Sequence, residues 1–274
     1  MKYTSAVSTL ALLAALGVAP AQADALLSGT IKNKDGAAMA GVTVSAKKEG
    51  SPITTTVFTD QTGRYYFPDL PEGNYHVWAQ AIAYETTKSN VALTTSKAQD
   101  FTLQSFADFV KQLPGDEFLA ALPEATADDA RMKTFVRKTC TGCHTAAYPL
   151  QHRFDEAGWN SILEAMKRFN VLGVHRGDHE PPNASIAGHQ EELSRYLARA
   201  RGPGESSMNY NLRTRPTGEA ARAVFREYDV PLDPDLKLPG TYFTHDGSDW
   251  SKGTPSGMFG GYGVHDAEAD LDGN

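Results

Sequence analysis

The strongest constraint on the fold is a series of short runs between residues 26 and 104 in which apolar and polar side chains alternate. Each run ends at turn residues, such as Asp35-Gly36 and Asp60-Gln61-Thr62-Gly63. Alternation with period two is typical of half-buried strands. About seven such runs are typical of a β-sandwich. They cover residues 29–32, 42–46, 54–59, 65–67, 75–79, 91–93 and 101–103.

Two of these stretches carry a family resemblance. Residues 59–67 read Thr-Asp-Gln-Thr-Gly-Arg-Tyr-Tyr-Phe, and residues 70–75 read Leu-Pro-Glu-Gly-Asn-Tyr. Residues 24–104 resemble the carboxypeptidase-regulatory-like (transthyretin-like) family. The resemblance implies a Greek-key sandwich that serves as a spacer, docking or carbohydrate-associated module, with a glycan or peptide as its ligand. It implies no catalytic residues.

The first 23 residues have the form of a signal peptide. Lys2 supplies the positive end, residues 6–20 are apolar or small, and Ala21-Gln22-Ala23 matches a signal-peptidase site. Cleavage near Ala23 predicts a periplasmic or secreted protein. No later segment is apolar over a length that would span a bilayer, so we expect no transmembrane segment.

Charge and cysteine content exclude two classes of protein. The 274 residues include 26 Lys and Arg against 33 Asp and Glu, which gives a net charge of −7. A nucleic-acid-binding protein would normally present a basic face, so no nucleic acid is expected. The two cysteines exclude a scaffold held together by several disulfides.

Helical periodicity begins after residue 105. We expect residues 105–124 to be a linker and Thr126 to cap a helix with acidic residues in its first turn. Along this helix Met132, Phe135, Val136, Cys140 and Cys143 recur at helical spacing.

The helix leads into Cys140-Thr141-Gly142-Cys143-His144, the attachment signature of c-type haem. Two thiols three residues apart can each bond one haem vinyl group, and the following imidazole can ligate the iron. The prediction is therefore one covalent haem c, with His144 as the iron ligand. A redox disulfide, a zinc site and chance occurrence are the alternatives. The disulfide motif normally accompanies a βαβ unit, and zinc would require two further ligands at suitable spacing.

Residues 125–202 resemble a small class I cytochrome c domain. The resemblance places Phe135 at the aromatic position of the first helix and implies a closing helix with Leu193, Tyr196 and Leu197. Between them Asp155 begins a helix, and its apolar face comprises Trp159, Ile162, Leu163, Met166 and Phe169. The resemblance implies one-electron transfer to or from a redox partner protein.

The sequence does not decide which residue is the sixth iron ligand. Met166 is the first choice, because a Met thioether suits low-spin haem, although a Met on an apolar stripe is usually core filler. Met208, in a loop, is the second candidate. Other possibilities are His175, His179, His189 or an open position. Arg153 and Trp159 could line the pocket or bind a propionate, although a solvated Arg and a core Trp are the more common roles of such residues.

The tail, residues 203–274, is rich in Gly and aromatic residues. Residues 227–231 and 264–274 resemble the blade repeat of streptogramin-lyase-like β-propellers. The tail is then either disordered or, as the preferred prediction, the first part of a longer propeller. The fold prediction is thus multidomain: an all-β sandwich, an all-α cytochrome c domain and an incomplete propeller-like tail. Electron transfer leads among the functions. The alternative is a protein that binds a glycan, peptide or small molecule, or resembles a propeller lyase, with the haem ancillary.

Overall fold

The computed structural model describes residues 26–142, 144–169, 176–177, 179–229 and 248–252. The predicted signal peptide, Cys143, His175 and residues 264–274 lie outside the described residues. Eight strands form the first part of the fold. They are β1 (Leu27–Asn33), β2 (Thr43–Lys48), β3 (Ile53–Phe58), β4 (Arg64–Tyr66), β5 (Gly73–Gln80), β6 (Thr87–Leu93), β7 (Lys97–Ala98) and β8 (Phe101–Leu103).

The strands form two sheets. In the smaller sheet β1 pairs antiparallel with β4, and parallel with β7 and then β8 on its other side. In the larger sheet β6, β5, β2 and β3 lie side by side, and every pair is antiparallel. The predicted β-sandwich is therefore present, and all seven predicted runs contribute strands.

The sandwich core follows the alternation in the sequence. In β4 the middle residue Tyr65 is fully buried, while Arg64 and Tyr66 on either side are exposed. Tyr65 meets Phe67 edge-to-face, with 5.8 Å between ring centroids. The remaining core comes from both sheets and includes Leu27, Ile31, Val44, Val77, Val91, Leu93 and Leu103. Burial of one face of each sheet fixes the strand register, because a slip by one residue would expose every apolar side chain.

The turn before β4 explains the motif that carries the family resemblance. The Asp60 carboxylate accepts hydrogen bonds from the backbone N–H groups of Thr62 and Arg64, at 2.8 and 3.0 Å. Gly63 has φ +76°, and a Cβ at this position would lie 2.7 Å from the Ile31 carbonyl oxygen. Only glycine meets both conditions. The Asp-x-x-Gly pattern therefore stabilises a turn, and it holds no catalytic group.

Five helices follow the sandwich. They are α1 (Gly115–Ala121), α2 (Ala127–Thr139), α3 (Ala147–Leu150), α4 (Glu156–Met166) and α5 (Ala184–Arg201), with 3-10 turns at Phe109–Gln112 and Cys140–Gly142. The capping predictions are confirmed: Thr126 accepts from the Asp129 N–H at the start of α2, and Asp155 accepts from the Gly158 N–H at the start of α4.

The helices share one apolar cluster. Met132 and Val136 of α2 pack in it with Leu193, Tyr196 and Leu197 of α5. Trp159, buried to 1% exposure, and Leu163 bring α4 into the same cluster. We refer to this group of side chains as the helical core. The predicted apolar face of α4 is confirmed at these two positions, while Ile162, Met166 and Phe169 are half-buried.

The structure differs from the predicted linker at residues 105–124. This stretch contains the first 3-10 turn and α1, and it places Leu113, Phe118 and Leu122 in the helical core. The Tyr196 hydroxyl also donates to the Pro123 carbonyl at 2.9 Å. The sequence does not predict α1, because its seven residues are too few to show a clear helical period. Pro114, Pro123 and several polar residues in the same stretch favour a loop instead.

The chain then returns to the sandwich. Residues 225–228 form β9 (Phe225–Tyr228), which pairs antiparallel with β3 and becomes the fifth strand of the larger sheet. Part of the stretch that resembled a propeller blade, residues 227–229, therefore lies at the sandwich edge in this structure. Within the described residues, no helix has the length and apolar character needed to cross a membrane.

Candidate functional site

Cys140 lies where α2 ends. It is the C-cap residue of that helix, begins the 3-10 turn Cys140–Gly142, and is half-buried against the helical core. The turn tightens the chain immediately after the helix, so that Cys140 and His144 lie on one short segment. Cys143 lies outside the described residues. The structure thus places two of the three predicted attachment residues at the end of one capped helix.

The imidazole of His144 has one ring nitrogen in a hydrogen bond. Its Nδ1 lies 3.0 Å from the Thr145 carbonyl oxygen. A carbonyl can only accept, so Nδ1 donates this hydrogen bond, and Nε2 is the nitrogen that carries the lone pair in the neutral ring. The ring is half-buried and lies 5.4 Å from the Tyr148 ring, centroid to centroid. Neutral imidazole with its lone pair on one nitrogen and a carbonyl acceptor on the other is the form that ligates metals.

The two sulfur candidates differ in their surroundings. Met166 is the last residue of α4 and packs half-buried against the helical core, as Cys140 does. Met208 is buried to 8% exposure, and its sulfur accepts a hydrogen bond from the Tyr210 hydroxyl at 3.5 Å. A thioether already engaged inside the core is less available as a ligand than one at the core's edge.

Two of the histidine candidates, His189 and His179, also differ in their surroundings. His189 donates from Nδ1 to the Ser185 carbonyl at 2.9 Å, and its Nε2 lies 3.7 Å from a Glu192 carboxylate oxygen. Its ring also contacts the Phe135 ring in a tilted arrangement, with centroids 4.8 Å apart. These contacts occupy His189 at the surface between α2 and α5. His179 is exposed.

The end of α5 holds a buried guanidinium. Arg201 is 5% exposed; it donates to the Gln151 carbonyl at 3.1 Å and to the Tyr210 hydroxyl at 3.4 Å. Within the part of the chain that the structure describes, its Nε has no acceptor. Burial lowers the pKa of Arg201 and raises the pKa of Tyr210. The predicted pocket residue Arg153 instead donates to the carbonyls of Gly202 and Gly204.

Trp159 is a core residue. Its indole N–H donates to the Arg201 carbonyl at 3.3 Å, and its ring meets Phe154 edge-to-face at 5.3 Å between centroids. The side chain therefore joins α4 to the end of α5. These contacts within the helical core account for the burial of Trp159 without a ligand pocket.

The described residues at the end of α2 fit part of the donor set that a covalently attached haem would use. Cys140 is a half-buried thiol at the helix end, and the Nδ1–H of His144 donates to a carbonyl, which leaves Nε2 as the nitrogen that would ligate iron. Among the described residues, no three His, Cys, Asp or Glu side chains gather in a way that could hold a metal ion by themselves. Haem iron takes four of its ligands from the porphyrin, so a haem site does not need such a cluster.

The sandwich offers a separate groove. It has a volume of about 350 Å³ and lies over β5 and β6, where Glu49, Asn74, His76 and Asn90 contribute polar groups. His76 Nδ1 and the Asn90 side-chain oxygen lie 2.6 Å apart. His76 lies in β5 and Asn90 in β6. The groove could not be predicted from the sequence, because it joins residues of different strands.

Sequence reasoning also missed a contact at the far end of β5. Trp78 and Gln80 are buried there beneath residues 248–252. The available signal was a large apolar side chain at a position that the alternation assigns to the outer face. Such a residue is normally exposed unless another segment covers it.

Comparisons with known proteins identify the first of these units. Residues 27–104 match the family described as the carboxypeptidase regulatory-like domain. This part of the chain is such a domain. The match ends at residue 104, so the helices and the candidate attachment residues lie outside it.

Individual relatives are similar to this chain over a small part of its length. Serine-aspartate repeat-containing protein D from Staphylococcus aureus (strain Newman) is 43% identical over 47 residues, which cover 17% of this chain and 4% of that protein. The Bacillus anthracis TIE protein has 16% identity and a TM-score of 0.25, and the likeness covers 30% of this chain and 16% of that one. A chain of a type II cohesin–X-dockerin complex from Acetivibrio cellulolyticus has 23% identity and a TM-score of 0.26, with 30% and 58% covered.

Proposed function

We propose that this protein is an exported c-type cytochrome that transfers one electron at a time between partner proteins. The observation that carries the proposal is the Cys-x-x-Cys-His run at the end of α2, beside a helical core that α2 shares with α4 and α5. This run is the haem c attachment signature, and an amphipathic helix leads into it. Export, expected from residues 1–23, provides the compartment in which this attachment takes place.

In the proposal Cys140 and Cys143 hold the haem covalently, and His144 ligates the iron through Nε2. Thr145 positions His144, since its carbonyl accepts the Nδ1 proton and orients the ring. When bound, the haem supplies a one-electron couple near physiological potentials. The helical core excludes water from one side of the site, and the half-exposed His144 leaves the other side close to the surface for a redox partner.

Met166 is the proposed sixth ligand. Its half-buried place at the end of α4 supports this choice over Met208, whose sulfur accepts from Tyr210. We expect Met166→Ala to abolish the weak far-red band that Met ligation produces and to yield a high-spin spectrum that responds to carbon monoxide. Absorption spectra of the exported full chain provide the measurement.

The matched control is Met208→Ala, which removes the other sulfur candidate. We expect it to lower stability, because Met208 is buried, while leaving the far-red band in place. Loss of the band in Met208→Ala alone would reassign the ligand. A wild-type spectrum without c-type bands, after expression with the haem-maturation machinery, would refute the cytochrome proposal itself.

A second candidate function is recognition of a glycan or peptide by the sandwich. The groove over β5 and β6 favours it, because amide, imidazole and carboxylate groups converge there on a concave surface. The family match supports a binding or docking role more directly than it supports redox chemistry. Screening the full chain on a glycan array, beside a His76→Ala/Asn90→Ala variant, tests it: binding that this variant abolishes would support it.

A further inference from the structure

Two side chains on the outer face of the larger sheet are buried although the strand alternation directs them away from the sandwich core. In β5, Tyr75, Val77 and Ala79 belong to the core, so the alternate positions face outward. Asn74 and His76 are exposed on that outer face, as expected. Further along, Trp78 is 5% exposed and Gln80 only 1% exposed.

The cover is a segment from much later in the chain. The Ser248 carbonyl accepts hydrogen bonds from the Trp78 indole N–H, at 3.0 Å, and from the Gln80 amide. The backbone N–H of Trp250 donates to the Gln80 side-chain oxygen at 3.0 Å. Both ends of the Gln80 amide therefore bind the backbone of one segment. A buried amide requires such partners, and residues 248–250 supply them.

A charged contact lies beside these backbone contacts. Lys88 of β6 stands directly opposite Trp78 in the sheet register, on the same face. Its ammonium group bonds the Asp249 carboxylate and lies 2.9 Å from the Ser251 hydroxyl. Burial alone would raise the pKa of Asp249, but hydrogen bonds from Lys88 and Ser251 outweigh it and hold that pKa below its usual value.

We infer that this end of the sheet is a docking site for the C-terminal region of the same chain, with residues 248–252 as the docked segment. The site recognises one backbone carbonyl with two donors and an aspartate with a lysine. Both chemistries suit a turn segment that carries one aspartate, as residues 248–252 do. A five-residue contact would be weak between separate molecules, but a tether raises its effective concentration to about the millimolar range.

A second contact also joins residues that follow the helices to the larger sheet. Strand β9 pairs with β3, and Asp229 forms an ion pair with Lys47 at 2.8 Å. Residues after the helical part thus meet the larger sheet at its β3 edge and on its outer face over β5 and β6. Because the sandwich precedes the helices and the docked segments follow them, the helical part is held at both of its ends. The sandwich serves as an internal docking platform for its own chain.

Hydrogen exchange on the full chain tests the docking. Reversing one charge with Lys88→Glu places a carboxylate beside Asp249. We expect backbone amides of residues 248–252 to exchange about tenfold faster, because local opening governs their protection. The double variant Lys88→Glu/Asp249→Lys should restore slow exchange. Lys34→Glu, the same charge change in an exposed turn, should leave it unaltered.

Gln80→Leu tests the backbone recognition separately, since it removes donor and acceptor at similar size. It should accelerate exchange in residues 248–252 while the core strands stay protected. If it also unfolds the sandwich, the charge-reversal pair decides, because Lys88 is half-exposed and outside the core. Unchanged exchange in Lys88→Glu, or failure of the double variant to restore protection, would overturn the inference. The readout is independent of haem, so it separates this inference from the cytochrome proposal.

Discussion

Removing both cysteines of the attachment motif is expected to eliminate covalently bound haem from the exported protein. In Cys140→Ala/Cys143→Ala no thiol remains to bond a vinyl group, so the denatured chain should give no haem stain on a gel and should have the mass of the polypeptide alone. Each single variant keeps one thiol and should keep a weakened stain. The effect is the largest that we expect, since it is the complete loss of a prosthetic group.

The matched control lies between the two cysteines. Thr141→Ala removes a hydroxyl that donates to the Arg137 carbonyl and leaves both thiols and His144 in place. Its haem stain should equal that of the wild type. Were the double cysteine variant to keep full covalent stain, or the wild type to carry none when the maturation machinery is present, the attachment role of these residues would be refuted.

The second large effect concerns the stability of the helical part. Trp159→Ala should destabilise it by about 3–5 kcal/mol, the usual cost of deleting a large buried aromatic side chain. Trp159 is 1% exposed and bonds the Arg201 carbonyl at the end of α5. Its loss therefore opens a cavity between α4 and α5 and leaves a buried carbonyl with one partner fewer. Urea unfolding followed by circular dichroism at the helical signal measures the change.

Tyr66→Ala is the comparison for this experiment. Tyr66 is 54% exposed at the surface of the sandwich, so deleting its ring should change stability by less than about 1 kcal/mol. The helical and sandwich parts have separate apolar cores, and unfolding in two steps would be a natural consequence. A Trp159→Ala variant that unfolds at the wild-type urea concentration would contradict the role of Trp159 in the helical core.

The guanidinium of Arg201 is buried at the end of α5. Its hydrogen-bond partners are neutral oxygen atoms, and its Nε has no acceptor among the described residues. Such a group is costly to bury, so its contacts to Gln151 and Tyr210 must fix the relative position of α3, α5 and the following loop. Those same contacts hold Met208 in the core through Tyr210.

Local rules predicted the strands and the long helices well. Period-two alternation and turn residues located the sandwich strands, because each strand buries one face and the turns require particular backbone angles, as at Gly63. The helix starts at Thr126 and Asp155 were predictable for the same reason, since a capping side chain acts on amides within three residues. The haem motif is likewise local, and its role stays a prediction of the sequence.

Long-range contacts could not be predicted in this way. The packing of α1 against the helical core, the pairing of β9 with β3, and the docking of residues 248–252 on Trp78 and Gln80 join segments that are distant in the chain. The predictions of a linker and of a propeller-like tail rest on short local stretches of sequence, which do not reveal such partners. The sequence alone determined which residues can form strands, caps and thioether bonds. Only the tertiary structure decided which face each helix or strand buries and which other segment covers that face. The reason is that the burial of a residue depends on the arrangement of the whole chain, and not only on the residues next to it in sequence.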